Sequence, residues 1–415
     1  MRIAIIGTGI SGMTSGYLLS EDHEVTAYEA NSTIGGHTAT VDVPLNGRTW
    51  PVDTGFIVFN HKTYPHFTRL MDHLGVSSQP SVMSFSLQDF QSGLEFCPSS
   101  FNSLFIQRRN LLRPAFYRML VDAMRFRRGA RKLLDSGDDR TTLETYLATH
   151  HYGAFFINHF LIPMGAAIWS AGPGSFRQFP ARYFVEFFEN HGFLNISDQP
   201  QWRVIKGGSR NYIGPITRPF AARVRLNRPV VAVTRSPDKV GVTTADGRSD
   251  DYDHVVIATH SDQALAMLAD PSATERAVLG PIGFQENQVV LHTDTSVLPS
   301  KRAAWASWNY LTPKRASDRV ALTYNMNMLQ GLDAPETFCV SLNIGDRIDP
   351  AKIIRQFVYH HPVYTPESLL ARRRHAEISG VNSTFFCGAY WGYGFHEDGV
   401  NSALAVCRAF GKGLP

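Results

Sequence analysis

The apolar positions at the start of the chain form two short blocks with a helical pattern between them. Residues 3–6 are an uninterrupted apolar run, which is typical of a strand buried on both faces. A glycine-rich stretch and a helix-like segment follow, and a second strand pattern occupies residues 24–28. Strand, helix and strand in this order predict the opening of a parallel α/β sheet.

Further strand patterns follow later in the chain. Strands are predicted at residues 230–233, 240–244, 253–259 and 384–388, and the last leads through a loop into a helix at 399–410. The stretches between them carry most of the distinctive aromatic residues. These stretches predict a helix at 178–192, with Pro180 tolerable only in its first turn, and strand-like runs at 291–294, 305–310 and 322–327.

The alternation of these segments predicts two interleaved domains. The cofactor-binding domain is assigned to residues 1–85, 205–265 and 375–415, and a discontinuous mixed α+β substrate domain to residues 86–204 and 266–374. With 415 residues, 43% of them apolar, the chain is long enough to bury a core in each.

The loop after the first strand carries a phosphate-binding pattern. Gly7, Gly9 and Gly12 have the GxGxxG spacing, with Ser11 inside it. The first glycine permits a tight turn, the second lets the backbone approach a pyrophosphate, and the third lets the helix pack closely on the strand. Glu29 ends the second strand about 20 residues later, where an acid binds a ribose 2′-hydroxyl. Together these features predict a dinucleotide site.

A second glycine pair distinguishes FAD from NAD. Gly35 and Gly36, followed by His37 and Thr38, resemble the second signature of the glutathione-reductase-like FAD proteins, specifically the amine oxidase and phytoene desaturase superfamily. That superfamily usually has arginine where this chain has His37. In the superfamily, the N-terminus of the last helix faces the flavin pyrimidine oxygen, where charge accumulates on reduction. The resemblance implies a glutathione-reductase-like Rossmann domain that holds FAD without a covalent link.

The glycine loops and the resemblance together imply a set of cofactor contacts. The set comprises the two glycine loops, the acid, one residue of the strand at 230–233 and the ends of the C-terminal loop: Gly7, Gly9, Ser11, Gly12, Glu29, Gly35, Gly36, His37, Thr38, Val231, Gly388, Gly399 and Val400.

No second GxGxxG follows the first one in the sequence. Gly207, Gly208 and Gly241 lack the order of strand, glycine and helix. A flavoprotein without a nicotinamide site is not readily an NADPH-driven reductase. We therefore expect the flavin to take a hydride from the substrate. It would pass the electrons to oxygen or a quinone, or return them in a redox-neutral isomerisation.

The residues expected nearest the chemistry lie within positions 388–399. The catalytic candidates are His396, Tyr390 and Trp391. His396 is a candidate general base, because an imidazole gains or loses a proton near neutral pH. The alternative is a hydrogen-bonded structural histidine. Glu397 and Asp398 are candidate caps of the helix that follows.

The C-terminal sequence at 390–399, together with 305–310 and 324–330, resembles one branch of this superfamily. It is the bacterial "predicted NAD/FAD-binding protein" branch, whose members often accompany cyclopropane-fatty-acid-synthase-like methyltransferases. The resemblance implies a fatty acyl or phospholipid substrate and a lipid methyltransferase partner. The leading hypothesis is an FAD-dependent oxidoreductase that abstracts a hydride from an unsaturated or modified fatty acyl chain of a lipid.

Two other functions stay open at this point. One is a flavin amine oxidase acting on a small amine or polyamine, although Ala389 and Tyr390 stand where amine oxidases place an acid, so the substrate cage is incomplete. The other is a non-catalytic FAD-binding partner of a lipid methyltransferase. Fold alone does not separate these functions.

Residues 101–135, hereafter the basic segment, concentrate the positive charge of the chain. The segment holds nine basic residues and two acidic ones, a formal charge of +7, so within the total of +4 the remainder carries −3. Bulky apolar residues are interleaved at near-helical spacing. The segment therefore predicts either contact with an anionic lipid surface or a surface helix whose arginines pair with acids elsewhere. Nucleic acid is disfavoured, because the charge is local and the apolar residues are bulky.

The remaining features of the sequence concern the cellular compartment, membrane insertion and metal binding. Four widely spaced cysteines without a CxxC pair favour a reducing compartment over a disulfide scaffold. A strand begins directly after Met1, so no signal peptide is expected, and no apolar run is long enough for a membrane span. We expect a cytoplasmic protein, peripheral at the inner membrane face if the basic segment binds lipid. His360–His361 and His292 with Asp294 lack a third ligand, so no metal site is predicted.

Overall fold

The computed structural model describes residues 1–194, 199–314 and 318–415, and the fold is given for these residues. The strands in chain order are β1 (Arg2–Ile6), β2 (Glu24–Tyr28), β3 (Thr40–Leu45), β4 (Arg48–Asp53), β5 (Val58–Asn60), β6 (Ser78–Pro80), β7 (Phe85–Asp89), β8 (Leu94–Phe96), β9 (Trp202–Ile205), β10 (Val224–Arg225), β11 (Val230–Arg235), β12 (Val240–Thr244), β13 (Ser249–Tyr252), β14 (His254–Ile257), β15 (Phe284–His292), β16 (Trp308–Thr312), β17 (Leu322–Asn325), β18 (Cys339–Leu342), β19 (Ile353–Pro362) and β20 (Thr384–Phe386). The α-helices in chain order are α1 (Ile10–Leu19), α2 (Pro65–His73), α3 (Phe101–Leu104), α4 (Pro114–Gly129), α5 (Arg131–Asp135), α6 (Leu143–Thr149), α7 (Ala154–Phe156), α8 (Ile162–Trp169), α9 (Pro173–Arg177), α10 (Ala181–Asn190), α11 (Ile213–Thr217), α12 (Ser261–Met267), α13 (Ala273–Leu279), α14 (Met326–Gln330), α15 (Pro366–Arg372) and α16 (His396–Arg408).

A five-stranded parallel sheet organises the cofactor side of the molecule. Its strand order is β10-β2-β1-β14-β20, so strands from the beginning, middle and end of the chain lie side by side. Successive side chains of β1 enter two different apolar cores, Ile3 and Ile5 one core, Ala4 and Ile6 the other. The predicted strand buried on both faces is therefore confirmed, as is the α/β class.

An antiparallel unit, β11-β12-β13, lies beside this sheet and shares its second core through Val233, Val240 and Val242. Helix α13 joins the same core through Val278 and Leu279. The sequence assigns α13 to the substrate domain, but its apolar face packs with the cofactor-side sheet. The reason is that α12 and α13 follow β14 directly and cover the face of the sheet that β14 presents.

A seven-stranded sheet, ordered β19-β15-β18-β17-β16-β7-β8, organises the other half of the molecule. All neighbouring strands are antiparallel except β16 and β7. Its buried residues, such as Leu87, Leu291 and Leu322, share one large core with the aromatic side chains of helices α4 to α10. This mixed sheet with helices matches the predicted α+β substrate half.

Several predicted elements have other bounds in the structure. The strand predicted at 291–294 is the end of β15, which stops at His292, and the one predicted at 305–310 begins only at Trp308, as β16. The predicted helix at 178–192 begins only at Ala181, as α10, with Pro180 as its extended N-cap, because the residue before a proline, here Phe179, disfavours helical backbone. The predicted strand at 322–327 ends at Asn325. The Asn325 side chain accepts a hydrogen bond from the amide of Met328, which caps α14 and turns the chain into a helix.

Three further observations concern the whole described chain. All four cysteines are buried as free thiols. No helix among residues 1–194, 199–314 and 318–415 is long and apolar enough to cross a membrane. In the same ranges, no group of three His, Cys, Asp or Glu side chains is arranged to hold a metal ion.

Candidate active site

The loop after β1 is built from glycines because its backbone passes too close to neighbours for larger residues. Gly7 has φ +98°, and a Cβ there would lie 2.8 Å from the carbonyl oxygen of Ala258. A Cβ on Gly12 would lie 2.0 Å from the Gly7 carbonyl oxygen, so only glycine lets α1 pack against this turn. A Cβ on Gly9, the N-cap of α1, would meet nothing within 4 Å. The backbone of Gly9 therefore faces open space at a helix N-terminus, the position where an anionic group binds.

Glu29 lies directly after β2 and is buried beside this loop. One carboxylate oxygen accepts hydrogen bonds from the amide and hydroxyl of Thr8, at 3.1 and 2.5 Å. The other accepts from the amide and side chain of Asn31, at 3.0 and 2.9 Å. These bonds use the four lone-pair positions of the carboxylate, so a ribose hydroxyl would take the place of one of the two side-chain donors.

The second glycine pair lies against the first glycine loop. A Cβ on Gly36 would lie 3.3 Å from the Cα of Gly9, and the amide of Gly35 donates to the carbonyl of Thr8 at 3.2 Å. The predicted cofactor residues of the two loops are thus brought together in one place. Ser11 lies buried in the first turn of α1, next to the same junction.

His37 follows this junction and faces the seven-stranded sheet. Its ring centre lies 4.9 Å from that of Tyr359 and 5.4 Å from that of His361. Burial, with smaller contributions from the nearby His260 and His360, lowers the pKa of His37 to about 4. Its Nε2 is buried without a hydrogen-bond partner. A neutral imidazole with a free nitrogen therefore stands where the superfamily usually has arginine.

The C-terminal helix begins earlier than the sequence predicts. α16 starts at His396, not at Gly399, because Asp398 caps it by accepting a hydrogen bond from the Phe395 amide at 2.9 Å. Gly399 lies one turn inside, where a Cβ would be 2.6 Å from the Ile10 side chain. The N-termini of α1 and α16 therefore converge on one region. Val400 is fully buried beside Gly399.

His396 is held inside the cofactor side of the molecule. Its ring stacks on Phe56 with centroids 3.5 Å apart, and its Nε2 lies 3.2 Å from the Thr38 hydroxyl and 3.0 Å from the Tyr212 hydroxyl. The two hydroxyls also hydrogen-bond to each other. Burial holds the pKa of His396 well below its ordinary value, so the ring is neutral at pH 7. The role of His396 as a general base stays a prediction.

The two acids after His396 are both engaged with the backbone. Glu397 accepts hydrogen bonds from the amides of His66 and Phe67, at 3.1 and 2.8 Å, and so caps α2. Asp398 caps α16, and burial raises its pKa to about 7. Both residues are caps, as the sequence indicated, but Glu397 caps a different helix from the predicted one.

Tyr390 and Trp391 pack against a different set of residues from His396. They form a short 3₁₀ turn after Gly388 and pack with each other, the Tyr390 ring against Phe284 and the Trp391 ring against His375. The Gly388 amide donates to the Ser402 hydroxyl at 2.9 Å, which folds this turn back beneath the loop. None of these contacts is shared with His396, so the structure does not bring the three catalytic candidates together. Their catalytic roles stay predictions.

Two aromatic residues, Tyr393 and Phe395, directly precede α16 in the sequence. Tyr393 stacks on Tyr183 of α10 with centroids 4.4 Å apart, and Phe395 stacks on Phe187 at 5.2 Å. The Tyr183 hydroxyl donates to the Gly392 carbonyl at 2.8 Å, and the Tyr364 hydroxyl donates to the same oxygen at 3.2 Å. We call these stacked residues and their two hydrogen bonds the aromatic clamp. The clamp fixes the loop that leads into α16.

Val231 is the predicted cofactor residue on β11. The pairing of β11 with β12 skips Val231 between Val230 and Ala232, and its side chain is 52% exposed. The amide of Arg228, just before β11, donates to the carbonyl of Glu29 at 2.9 Å. This bond anchors the chain that leads into β11 next to the acid.

Sequence reasoning missed two residues that enclose His396, namely Phe56 and Tyr212. The amide of Phe56 donates to the His37 carbonyl at 2.7 Å, and a Cβ on the preceding Gly55 would lie 2.1 Å from that oxygen. An isolated glycine at position 55 was a usable signal for this close approach. Tyr212 gives no such signal, because it is remote in sequence from the residues it contacts.

These residues fit FAD. The open backbone at Gly9, the converging N-termini of α1 and α16, the free Nε2 of His37 and the acid after β2 provide positions for a pyrophosphate, a flavin pyrimidine ring and a ribose.

Comparisons with known proteins identify the family. Residues 10–330 match the family model for flavin containing amine oxidoreductase. A search of curated proteins found no relative of this sequence. Among solved structures, the fold is similar to that of a CLA-producing fatty acid isomerase from P. acnes, with 17% identity, a TM-score of 0.70 and coverage of 99% of this chain and 98% of that one.

Two oxidases have the same fold. A cyclohexylamine oxidase from Brevibacterium oxydans IH-35A is 17% identical, with a TM-score of 0.71 and 99% of each chain covered. A putrescine oxidase bound to putrescine is 14% identical, with a TM-score of 0.69 and 99% of each chain covered. The family match covers most of the chain, and the site residues fit the cofactor. The chain belongs to the flavin-containing amine oxidoreductase family and is an FAD-dependent oxidoreductase with the amine oxidase-like fold.

Proposed function

We propose that the substrate is an unsaturated or modified fatty acyl chain of a lipid, with oxygen or a quinone as the electron acceptor. The observation that carries this proposal is the surroundings of the start of α16. Tyr393 and Phe395 present aromatic surface there, while Glu397 and Asp398 are both engaged as helix caps. The third carboxylate nearby, that of Glu186 on α10, is engaged with the Tyr393 hydroxyl. Apolar walls without a free carboxylate suit an acyl chain better than an ammonium group.

The fatty acid isomerase among the solved structures supports the same substrate class. At 17% identity the likeness carries only the fold. It nevertheless shows that this fold is used by a protein that acts on fatty acids, alongside oxidases that act on amines.

The proposed reaction removes two hydrogens from the acyl chain. When bound, FAD accepts a hydride from carbon. An allylic C–H bond breaks with its electron pair, and a base takes a proton from the neighbouring carbon, so a new C=C bond forms. His396 is the candidate base, held neutral by burial and oriented by the Thr38 and Tyr212 hydroxyls. The electron pair then reduces oxygen to hydrogen peroxide or a quinone to a quinol.

The test follows the absorbance of oxidised flavin under anaerobic conditions. The FAD-loaded protein is mixed with an unsaturated fatty acid, with an unsaturated phospholipid, with the matching saturated lipids, and with polyamines. We expect bleaching by the unsaturated lipids and not by the saturated lipids or the amines. Bleaching by the amines alone would transfer the assignment to an amine oxidase.

A redox-neutral reaction is detected separately. The lipid recovered from each anaerobic mixture is analysed for a shifted double bond, since an isomerisation leaves the flavin oxidised at the end. No bleaching and no altered lipid in any mixture would contradict the proposed function and favour the non-catalytic partner of a lipid methyltransferase.

A further inference from the structure

The basic segment exposes more apolar surface than its share of the chain. Among the described residues thirteen large apolar side chains are exposed, and five of them lie in this segment: Phe101, Leu111, Leu112, Tyr117 and Val121. Leu112, just before α4, is 89% exposed, and Phe101 is 71% exposed. Single exposed apolar residues are normal on a protein surface, but a cluster of them marks an interaction surface.

These side chains form one continuous patch. The Phe101 ring lies 4.8 Å from the Phe105 ring, which lies 6.0 Å from the Tyr117 ring. The Tyr117 hydroxyl donates to the carbonyl of Leu111 at 2.9 Å, which joins the start of α4 to the turn before it. Val121 follows Tyr117 by one helical turn and extends the patch along α4.

Positive charge surrounds the apolar patch, and acids neutralise only part of it. Of the two acids in the segment, Asp122 is buried and is engaged by Arg125 at 2.6 Å and Arg118 at 3.9 Å. Arg128 and Lys132 are exposed and line a groove of about 640 Å³ beside the patch. The floor of the groove is apolar, and includes Leu120 and Met124 on the patch side.

We propose that the basic segment docks the protein on the surface of an anionic phospholipid bilayer. Leu112, Phe101 and Val121 enter the interfacial region, while the arginines and Lys132 lie at the level of the headgroups. Amphipathic segments that combine bulky apolar and basic side chains bind membranes in this way. The docking does not depend on which substrate the flavin oxidises.

A lipid surface fits these observations better than an acidic macromolecule. Binding to nucleic acid phosphates would use the arginines alone and would leave Leu112 and Phe101 in water. A bilayer interface takes up both features, because its headgroups carry the negative charge and its outer acyl region accepts the apolar side chains.

The test is sedimentation of the FAD-loaded full chain with vesicles, without lipid turnover. Vesicles of phosphatidylcholine alone are compared with vesicles that also contain phosphatidylglycerol. We expect binding to the anionic vesicles to be at least about tenfold tighter, and to weaken as salt is raised. Equal binding to both vesicles, or binding to neither, would overturn the proposal.

Matched variants distinguish binding through this surface from non-specific binding to vesicles. Val121→Ser is paired with the control Val358→Ser. Val358 is similarly exposed, 53% against 57% for Val121. It lies on β19, at the opposite edge of the seven-stranded sheet from β8. Arg128→Glu with Lys132→Glu is paired with Arg276→Glu on α13. We expect the variants of the basic segment to lose at least about tenfold in affinity and the paired controls to bind as the wild type.

Two further measurements distinguish lipid docking from misfolding and from binding to nucleic acid. Unchanged melting temperatures and flavin spectra show that the variants are folded and loaded. Duplex DNA is tested as a competitor. The surface would be reassigned to nucleic acid if the charge variants abolished DNA binding while Val121→Ser changed neither DNA binding nor vesicle binding. Vesicle binding is measured on the oxidised protein, so the result stands whether or not any lipid reduces the flavin.

Discussion

Two glycines of the first glycine loop, Gly9 and Gly12, have different roles in the structure. At Gly12 there is no room for a side chain, because a Cβ would lie 2.0 Å from the Gly7 carbonyl oxygen. At Gly9 there is room in the protein itself, because a Cβ would meet nothing within 4 Å. Gly12 is therefore required by the fold, and Gly9 by whatever occupies the open space in front of it.

This difference predicts opposite results for two alanine substitutions. Gly12→Ala should destabilise the protein by about 1–3 kcal/mol, the usual effect of overpacking, whether or not FAD is present. Gly9→Ala should leave the apoprotein as stable as the wild type but weaken FAD binding by about tenfold or more, because its methyl group occupies the pyrophosphate position. Urea unfolding of the apoproteins and fluorescence titration with FAD measure the two effects.

The outcome at Gly9 is the informative one. Gly214→Ala is a suitable control, since a Cβ there also meets nothing within 4 Å but lies on α11, outside the glycine loops. If Gly9→Ala and Gly214→Ala bind FAD equally well, the pyrophosphate does not lie against Gly9.

At the scale of secondary-structure elements, the residue that caps the start of α16, Asp398, also has a raised pKa. Asp398 accepts a hydrogen bond from the Phe395 amide, and burial raises its pKa from 3.8 to about 7. Since the folded state holds this proton more tightly than the unfolded state, the protonated carboxyl stabilises the fold fully below pH 3.8. That contribution is lost as the pH rises through about 7.

Asp398→Asn isolates this effect, because the amide oxygen keeps the cap and removes the titration. We expect the stability of the variant relative to the wild type to increase by several kcal/mol between pH 3.8 and about 7. Urea unfolding at a series of pH values measures this difference, in which the titrations of groups that do not interact with Asp398 cancel. A difference that does not change with pH would contradict the raised pKa.

The elements also show where sequence reasoning succeeds and where it fails. The apolar run of β1 and the spacing of Gly7, Gly9 and Gly12 are local signals, so the α/β fold class and the FAD cofactor were predictable. The start of α16 was not, because it depends on the Asp398 side chain returning to the Phe395 amide. The enclosure of His396 was not predictable either, since Tyr212 reaches it through tertiary packing alone.

At the scale of the whole molecule, the two halves meet at the loop before α16. Tyr183 on α10 and Tyr364 after β19 belong to the substrate half, and both donate to the Gly392 carbonyl of the cofactor half. The same loop ends at the helix N-terminus expected to face the flavin. The aromatic clamp therefore couples the packing of the substrate half to the position of α16.

This coupling predicts that a hydrogen bond made by the substrate half affects FAD affinity. Tyr183→Phe removes the 2.8 Å bond to Gly392 and keeps the stacking on Tyr393, so we expect a loss of about 1 kcal/mol in stability and a several-fold weaker FAD affinity. Tyr117→Phe is the matched control, because it removes a similar 2.9 Å bond to a carbonyl oxygen in the basic segment. It should alter stability by a similar or smaller amount and leave FAD affinity unchanged.

The combination of Tyr183→Phe with Tyr364→Phe tests whether the clamp acts as one unit. Each single variant leaves the Gly392 carbonyl with one of its two tyrosine donors, but the double variant removes both and leaves only Arg372 Nη1, at 3.5 Å. The loss of FAD affinity in the double variant should therefore exceed the sum of the two single losses in free energy, since a carbonyl that keeps only this long contact is costly to bury. Calorimetric titration with FAD gives all four affinities. Additive losses would mean that the two tyrosines support α16 independently, and unchanged affinities would show that the position of this helix does not depend on the substrate half.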